Sequence, residues 1–181
     1  MIEEKTKLIL KSIDIYSFKS YEKPVHIEFS TGLNIVLSPA CTGKTNLFDA
    51  IRWAMCSPAL NYVPESDKAE VLLTVSGTEN SEISIKRVVL RQPDGVLTEN
   101  LFIDEKTATP IDVQDLFKNI SFSMIDNCNI IEDFEEKTAD SEKQYIVATI
   151  DAKIAKHADT FIGITINETG GTDVLVCHIT K

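Results

Sequence analysis

Apolar and polar residues alternate loosely over Leu8–Ile15 (LILKSIDI), the two-residue period of a strand with one face covered. A turn around Ser17–Tyr21 precedes Pro24, and Val25–Phe29 (VHIEF) alternates again. Thr31-Gly32 turns the chain into Leu33–Leu37 (LNIVL), an almost unbroken apolar run of the kind covered on both faces of a sheet. After Ser38–Thr45 the period lengthens: Leu47, Ile51, Ala54 and Met55 recur at spacings of three and four and share one face of a helix, which Ser57-Pro58 ends. Val71–Val75 and Glu82–Leu90 read as an antiparallel pair across Gly77–Ser81, followed by a strand at Leu97–Asp104 and a short helix at Pro110–Asn119. A second apolar run, Gln144–Thr149, opens a strand–helix–strand–strand unit. Its helix is Ala152–Ala158, and Thr160–Ile166 and Val174–Ile179 pair across Gly170-Gly171. Because both apolar runs need cover on two faces, Gln144–Thr149 is expected in the same sheet as Leu33–Leu37. Asp133–Lys143 is polar and charged, the composition of a surface connection.

A chain of 181 residues suits one domain with a core large enough to stand without disulfides or a structural metal. Its apolar share of 43% and charged share of 25% are those of a soluble globular protein. The formal charge of -10 argues against direct DNA binding by this chain alone, since that affinity comes largely from Lys and Arg. Cys41, Cys56, Cys128 and Cys177 match no zinc or redox spacing and read as reduced thiols. The opening residues are too charged for a secretory signal and no run reaches membrane-spanning length, so a cytoplasmic or nuclear location is expected.

The chemistry-bearing segment is SPACTGKTN, Ser38–Asn46, set between an apolar strand and a helix. In a phosphate loop, backbone N–H groups and the positive end of the helix dipole hold phosphate oxygens. Lysine reaches the outer phosphates and the following hydroxyl binds magnesium. Gly43, Lys44 and Thr45 meet that pattern, with Thr45 the magnesium ligand if ATP binds, and Asn46 enters the helix. Ser38 stands where the pattern has its first glycine, and Cys41 could direct a side chain into the cradle. Two acidic stretches imitate the end of a strand bearing catalytic acids. LFIDE ends in Asp104-Glu105 but is interrupted at Asn100 and reads as a hairpin turn; Met124–Asp126 is short, and Asp126 reads as a solvated carboxylate. His157 and His178 lack clustered partners and read as structural or solvated.

The order of these segments resembles the head of the SMC family of ABC-type ATPases. SFKSY (Ser17–Tyr21), EFSTGLN (Glu28–Asn34), SPACTGKTN (Ser38–Asn46) and DAIRWAMC (Asp49–Cys56) are similar to that family's GFKSF, EFSPGLN, GPNGSGKSN and DAIRWVLG. AEVLLTV (Ala69–Val75) and EISIKRVVLR (Glu82–Arg91) look like its paired N-lobe strands. LFIDEKTATPIDVQDLF (Leu101–Phe117) is similar to its hairpin-and-helix segment, and Gln144–Ile166 to its C-terminal end. The resemblance implies an α/β, P-loop NTPase fold: a mixed sheet around the helix that starts near Thr45, with an antiparallel β subdomain. On this reading residues 1–133 form an N-lobe, and 134–143 replace the arms, the hinge and most of the C-lobe. Residues 144–181 are then the C-terminal segment.

What the family has and this chain lacks is equally specific. The signature motif and the Walker B strand have no counterpart, and Asn127 takes the Q-loop position, with Cys128 after it. The resemblance therefore implies a structural or protein-interaction module with little or no ATP hydrolysis, ATP and magnesium being bound weakly if at all. The alternative is a nucleotide-binding half-site completed by another chain and serving chromosome or DNA organisation. Loss of a central strand would expose apolar surface and unpaired backbone, so the chain is expected to borrow cover as a homo-oligomer or as a subunit of a larger protein complex.

Overall fold

The structure is a computed structural model describing residues 8–39, 42–57, 62, 64–77, 81–119, 121–126, 135, 138, 140 and 143–179. Cys41, Asn127, Cys128 and most of Asp133–Lys143 lie outside these residues. Two sheets enclose one long helix. The first contains β1 (Ile9–Tyr16), β2 (Val25–Glu28), β4 (Lys68–Ser76), β5 (Glu82–Arg91), β6 (Leu97–Ile103) and β7 (Lys106–Thr107), all antiparallel, in the order β2-β1-β4-β5-β6-β7. The second has β3 (Leu33–Leu37), β8 (Phe122–Ile125), β9 (Gln144–Thr149), β10 (Thr160–Ile166) and β11 (Thr172–His178), in the order β11-β10-β3-β9-β8. Its pairs are parallel except β10–β11.

Helix α1 (Lys44–Ala54) buries Leu47, Phe48, Ala50, Ile51, Trp53 and Ala54 in a core shared by both sheets. Its last turn is fixed from the antiparallel sheet. The Arg87 guanidinium lies 4.6 Å from the Trp53 ring centroid and donates to the Trp53 carbonyl at 2.6 Å, while pairing with Glu99 at 2.7 Å. The two apolar runs are covered on both faces, as their composition predicts. Val36, Ile146 and Ala148 face the main core, whereas Ile35, Tyr145 and Val147 pack with Ile154 and Ala158 around α3 (Ala152–Ala155).

Several boundaries differ from the sequence expectation. The helix at Pro110 is α-helical only as α2 (Pro110–Leu116) and tightens into a 3-10 turn over Phe117–Asn119. Helix α3 stops at Ala155, short of Ala158. Asp104 and Glu105 both have positive φ, 47° and 64°, in the β6–β7 turn, as expected of a hairpin and not of a strand end.

The larger correction concerns β8, which sequence reading does not identify as a strand. It pairs in parallel with β9, from Phe122↔Gln144 to Ile125↔Val147, so β3 has β10 on one side and β9 on the other, with β8 beyond. Ile35 and Val36 are fully buried. The expected exposure of a central strand is therefore absent at β3: the sheet is completed within the chain.

His178 has structural partners that the sequence does not reveal. Its Nδ1 lies 2.9 Å from the Thr160 hydroxyl, and its Nε2 is 3.6 Å from Glu28. His26 reaches the same carboxylate at 3.6 Å and holds Asp14 at 2.7 Å, so Glu28 bridges a histidine from each sheet. Among the described residues no such group forms a metal cage. The hydrogen bond to Asp14, aided by Glu28 and opposed by desolvation, raises the His26 pKa above its ordinary value. A histidine whose folded pKa is raised adds stability that is present in full below about pH 6.5 and is lost as pH rises through the folded pKa. The stability gap between the wild type and His26→Gln is accordingly expected to be wider at about pH 6 than at about pH 9. Equal melting-temperature differences at both values would show that the pair contributes nothing.

Candidate phosphate site at the start of α1

The described ends of the β3–α1 loop, residues 38–39 and 42–43, lead into the start of α1. Gly43 is the N-cap of α1 with φ 105°, where any other residue would be strained, and a Cβ there would lie 2.6 Å from Thr172 Oγ1. No side chain caps the helix, and the first backbone bond runs from the Leu47 N–H to the Gly43 carbonyl at 3.1 Å. The N–H groups of Lys44, Thr45 and Asn46 thus have no acceptor among the described residues, the state in which a helix start attracts an anion.

Lys44 is only 8% exposed. Its ammonium donates to the Ser38 carbonyl at 2.9 Å and to the Thr149 carbonyl at 3.5 Å, spanning the ends of β3 and β9. Among the described residues no carboxylate pairs with it, and burial lowers its pKa below the ordinary lysine value. Thr45 is exposed, with no partner for its hydroxyl among the described residues. Ser38 is buried, and its hydroxyl sits 2.6 Å from that of Thr42 and 3.1 Å from the Pro39 carbonyl. Its φ is not positive, so serine in place of glycine carries no left-handed backbone strain.

Asn46 points away from the cradle, donating to Ser20 Oγ at 2.7 Å. The tight Ser17–Tyr21 turn brings Ser20 there; Ser17 and Lys19 both take positive φ, and Lys19 pairs with Asp49 of α1. Tyr21 from the same turn donates to the Gly43 carbonyl at 3.3 Å. Across the loop an apolar recess of about 510 Å³ opens between β3 and the β10–β11 hairpin, with Ile150 58% and Leu175 63% exposed at its walls.

No carboxylate in the described residues completes a hydrolytic site. Asp126 follows the carboxyl end of β8, two strands from β3, but the register sets Ile125 opposite Val147, two residues before Thr149. Arg52 holds Asp126 at 2.6 Å. The carboxylate is exposed, as the sequence suggested, and is in addition ion-paired. Asp151, just past β9, caps α3 through the Lys153 N–H at 2.8 Å.

A loop of this form between a parallel strand and a helix, flanked by an antiparallel sheet, defines a P-loop head. Residues 9–125, more than half of the chain, match the family described as RecF/RecN/SMC N terminal domain, and the chain belongs to that family. Chromosome partition protein Smc of Desulfitobacterium hafniense is 31% identical over 110 residues, 60% of this chain and 8% of the relative. Its counterpart in Mycoplasma genitalium is 26% identical over 135 residues, 62% of this chain and 13% of the relative. The chain thus corresponds to a small part of the length of these relatives. The SMC head domain from Thermotoga maritima superposes with a TM-score of 0.75 at 16% identity, over 94% of this chain and 99% of that one. An SmcHead solved bound to the C-winged helix domain of ScpA gives 0.77 at 14% identity, over 94% and 98%. These coverages are too high to leave out β9–β11, so the C-terminal unit shares the head fold as well.

Proposed function

We propose that this chain is a reduced SMC-type head that holds nucleotide phosphates weakly at Gly43–Asn46 and acts as a protein-interaction module, not as a self-sufficient ATPase. The carrying observation is the split character of the site. A buried, unpaired lysine and an uncapped helix start suit a phosphate, whereas the carboxylates at the neighbouring strand ends are held by Arg52 or by the start of α3. Residues 134–143 stand in place of the arms, the hinge and most of the C-lobe. With nucleotide bound, Lys44 and the first N–H groups of α1 would meet phosphate oxygens, and the Thr45 hydroxyl would be the magnesium ligand. The metal would neutralise phosphate charge; attack by water would still need a group to position it, which the described residues do not supply.

The interaction role draws on the similarity to chromosome partition proteins and to an SmcHead solved with ScpA, and on the exposed Ile150 and Leu175 beside the loop. We place the chain in a multi-subunit, chromosome-organising assembly, as a homo-oligomer or with a different partner. A half-site completed by another chain is the second reading, favoured by the free Thr45 hydroxyl.

The test is ATP titration by calorimetry beside a turnover assay with magnesium. Binding no tighter than micromolar, with turnover no higher in the wild type than in Thr45→Ala, is expected. Steady hydrolysis by the chain alone, lost in Thr45→Ala, would overturn the proposal. Hydrolysis appearing only when a second protein is added would establish the half-site.

A further inference from the structure

Two successive peptide planes at the head of α1 are fixed from outside the loop, one of them by a residue 130 positions further along the chain. Thr172 opens β11. Its backbone N–H donates to the Ser20 carbonyl at 2.8 Å, which sets its side chain against the loop. The hydroxyl lies 2.7 Å from Ser20 Oγ and 3.4 Å from the Thr42 carbonyl; with its one proton on that carbonyl it accepts from the Ser20 hydroxyl. Asn46 Nδ2 donates to the same Ser20 hydroxyl at 2.7 Å, so one chain of hydrogen bonds runs from Asn46 through Ser20 and Thr172 to the Thr42 carbonyl.

The consequence follows from peptide planarity. No peptide in the described chain is cis, and in a trans unit the C=O and the next N–H point in opposite directions. Drawing the Thr42 carbonyl toward the hairpin therefore turns the Gly43 N–H away from it. Gly43 needs such an anchor more than any other residue of the loop. It has no side chain of its own to restrain it, and its φ of 105° lies in a region glycine enters and leaves with little resistance.

We infer that Thr172 is a positioning residue of the phosphate loop: from the C-terminal hairpin it fixes the Thr42–Gly43 peptide so that the Gly43 N–H is presented, with those of Lys44, Thr45 and Asn46, to a phosphate. This rests on the phosphate reading given above. It also assigns a role to the C-terminal segment, which lies outside residues 9–125, the part matching the family description. The loop of this chain is completed by its own last hairpin.

Three measurements on the full chain test it: ATP affinity by calorimetry, melting temperature, and amide hydrogen exchange over residues 42–47 without ligand. Thr172→Val keeps the side chain's shape and its backbone bond to Ser20 but loses the hydroxyl. It should exchange faster over 42–47 and bind ATP roughly three- to tenfold more weakly, with a melting temperature lowered by no more than the loss of one hydrogen bond allows. Thr172→Ser restores the hydroxyl and should restore both readouts, which a purely steric role would not predict. Ser20→Ala breaks the chain from its middle and serves if the valine variant does not fold. Wild-type exchange and affinity in Thr172→Val would overturn the inference, as would faster exchange spread over the whole core. If the wild type does not bind ATP, the phosphate reading fails on that result. The exchange comparison then decides the anchoring by itself, with unchanged exchange in Thr172→Val overturning it.

Discussion

Replacing Gln144 by leucine is expected to destabilise the protein by about 3–5 kcal/mol, from the number of buried backbone groups it leaves unpaired. The reason lies in the length of β2. Its register with β1 begins at Ser12, so Leu10, two residues earlier in β1, has no β2 residue beside it. The Gln144 side chain takes that place. It accepts from the Leu10 N–H at 2.8 Å and donates to the carbonyls of Leu10 and Ser30, each at 2.7 Å. One primary amide, 1% exposed, thereby ties the antiparallel sheet to the start of β9. Leucine fills a similar volume but leaves the Leu10 N–H and C=O without this partner in a dry interior, while the Ser30 carbonyl keeps its bond from Asn34 Nδ2 at 3.0 Å, and the added apolar burial offsets only part of that loss. Urea denaturation of the two proteins measures the difference. A loss below about 1 kcal/mol would mean that water or a backbone shift satisfies Leu10 once the amide has gone.

Gln144 also marks the limit of what the sequence makes legible. Runs such as LNIVL and QYIVAT announce strands covered on both faces because most of their positions are apolar, and their sharing one sheet follows from the same need; that they pair directly and in parallel comes from the structure. The β6–β7 turn is legible because Asn100 breaks the apolar run and Asp104-Glu105 suit a turn. The start of α1 is legible from Gly-Lys-Thr after a strand. By contrast, β8 is four residues long and carries two serine-flanked apolar positions, too short for any period to emerge. Its position beside β9 depends on a pairing across residues 127–143, which no local pattern encodes. The Glu28 bridge between His26 and His178, the Gln144 amide on Leu10 and the Thr172 hydroxyl on Ser20 share that character. Each joins residues about 130 to 150 positions apart through a single polar group, except the local His26–Glu28 half of the bridge, and single polar residues have no periodicity to read.

Lys44→Met is expected to lower ATP affinity tenfold or more while leaving the unliganded protein about as stable as before, within about 1 kcal/mol. Both halves of this expectation come from the same environment. The ammonium is buried, with the Ser38 and Thr149 carbonyls as its partners and no carboxylate paired with it among the described residues. Two carbonyl dipoles offset only part of the cost of holding a cation out of water, and its lowered pKa is the signature of that deficit. Methionine keeps most of the stem's packing and removes the charge. The relief of desolvation then opposes the loss of two hydrogen bonds, and the net change in stability is small. A phosphate group supplies the missing countercharge in the wild type alone. A charge-assisted hydrogen bond of about 1.5–3 kcal/mol corresponds to a tenfold to hundredfold change in affinity. Thr45→Ala should weaken binding only when magnesium is present, because that hydroxyl has no partner among the described residues and its proposed role is to the metal. Calorimetric titrations of wild type and both variants, each with magnesium and with chelator, separate the two contributions. If Lys44→Met binds ATP within twofold of the wild type, the nucleotide does not sit at the start of α1, and the phosphate reading of this loop fails.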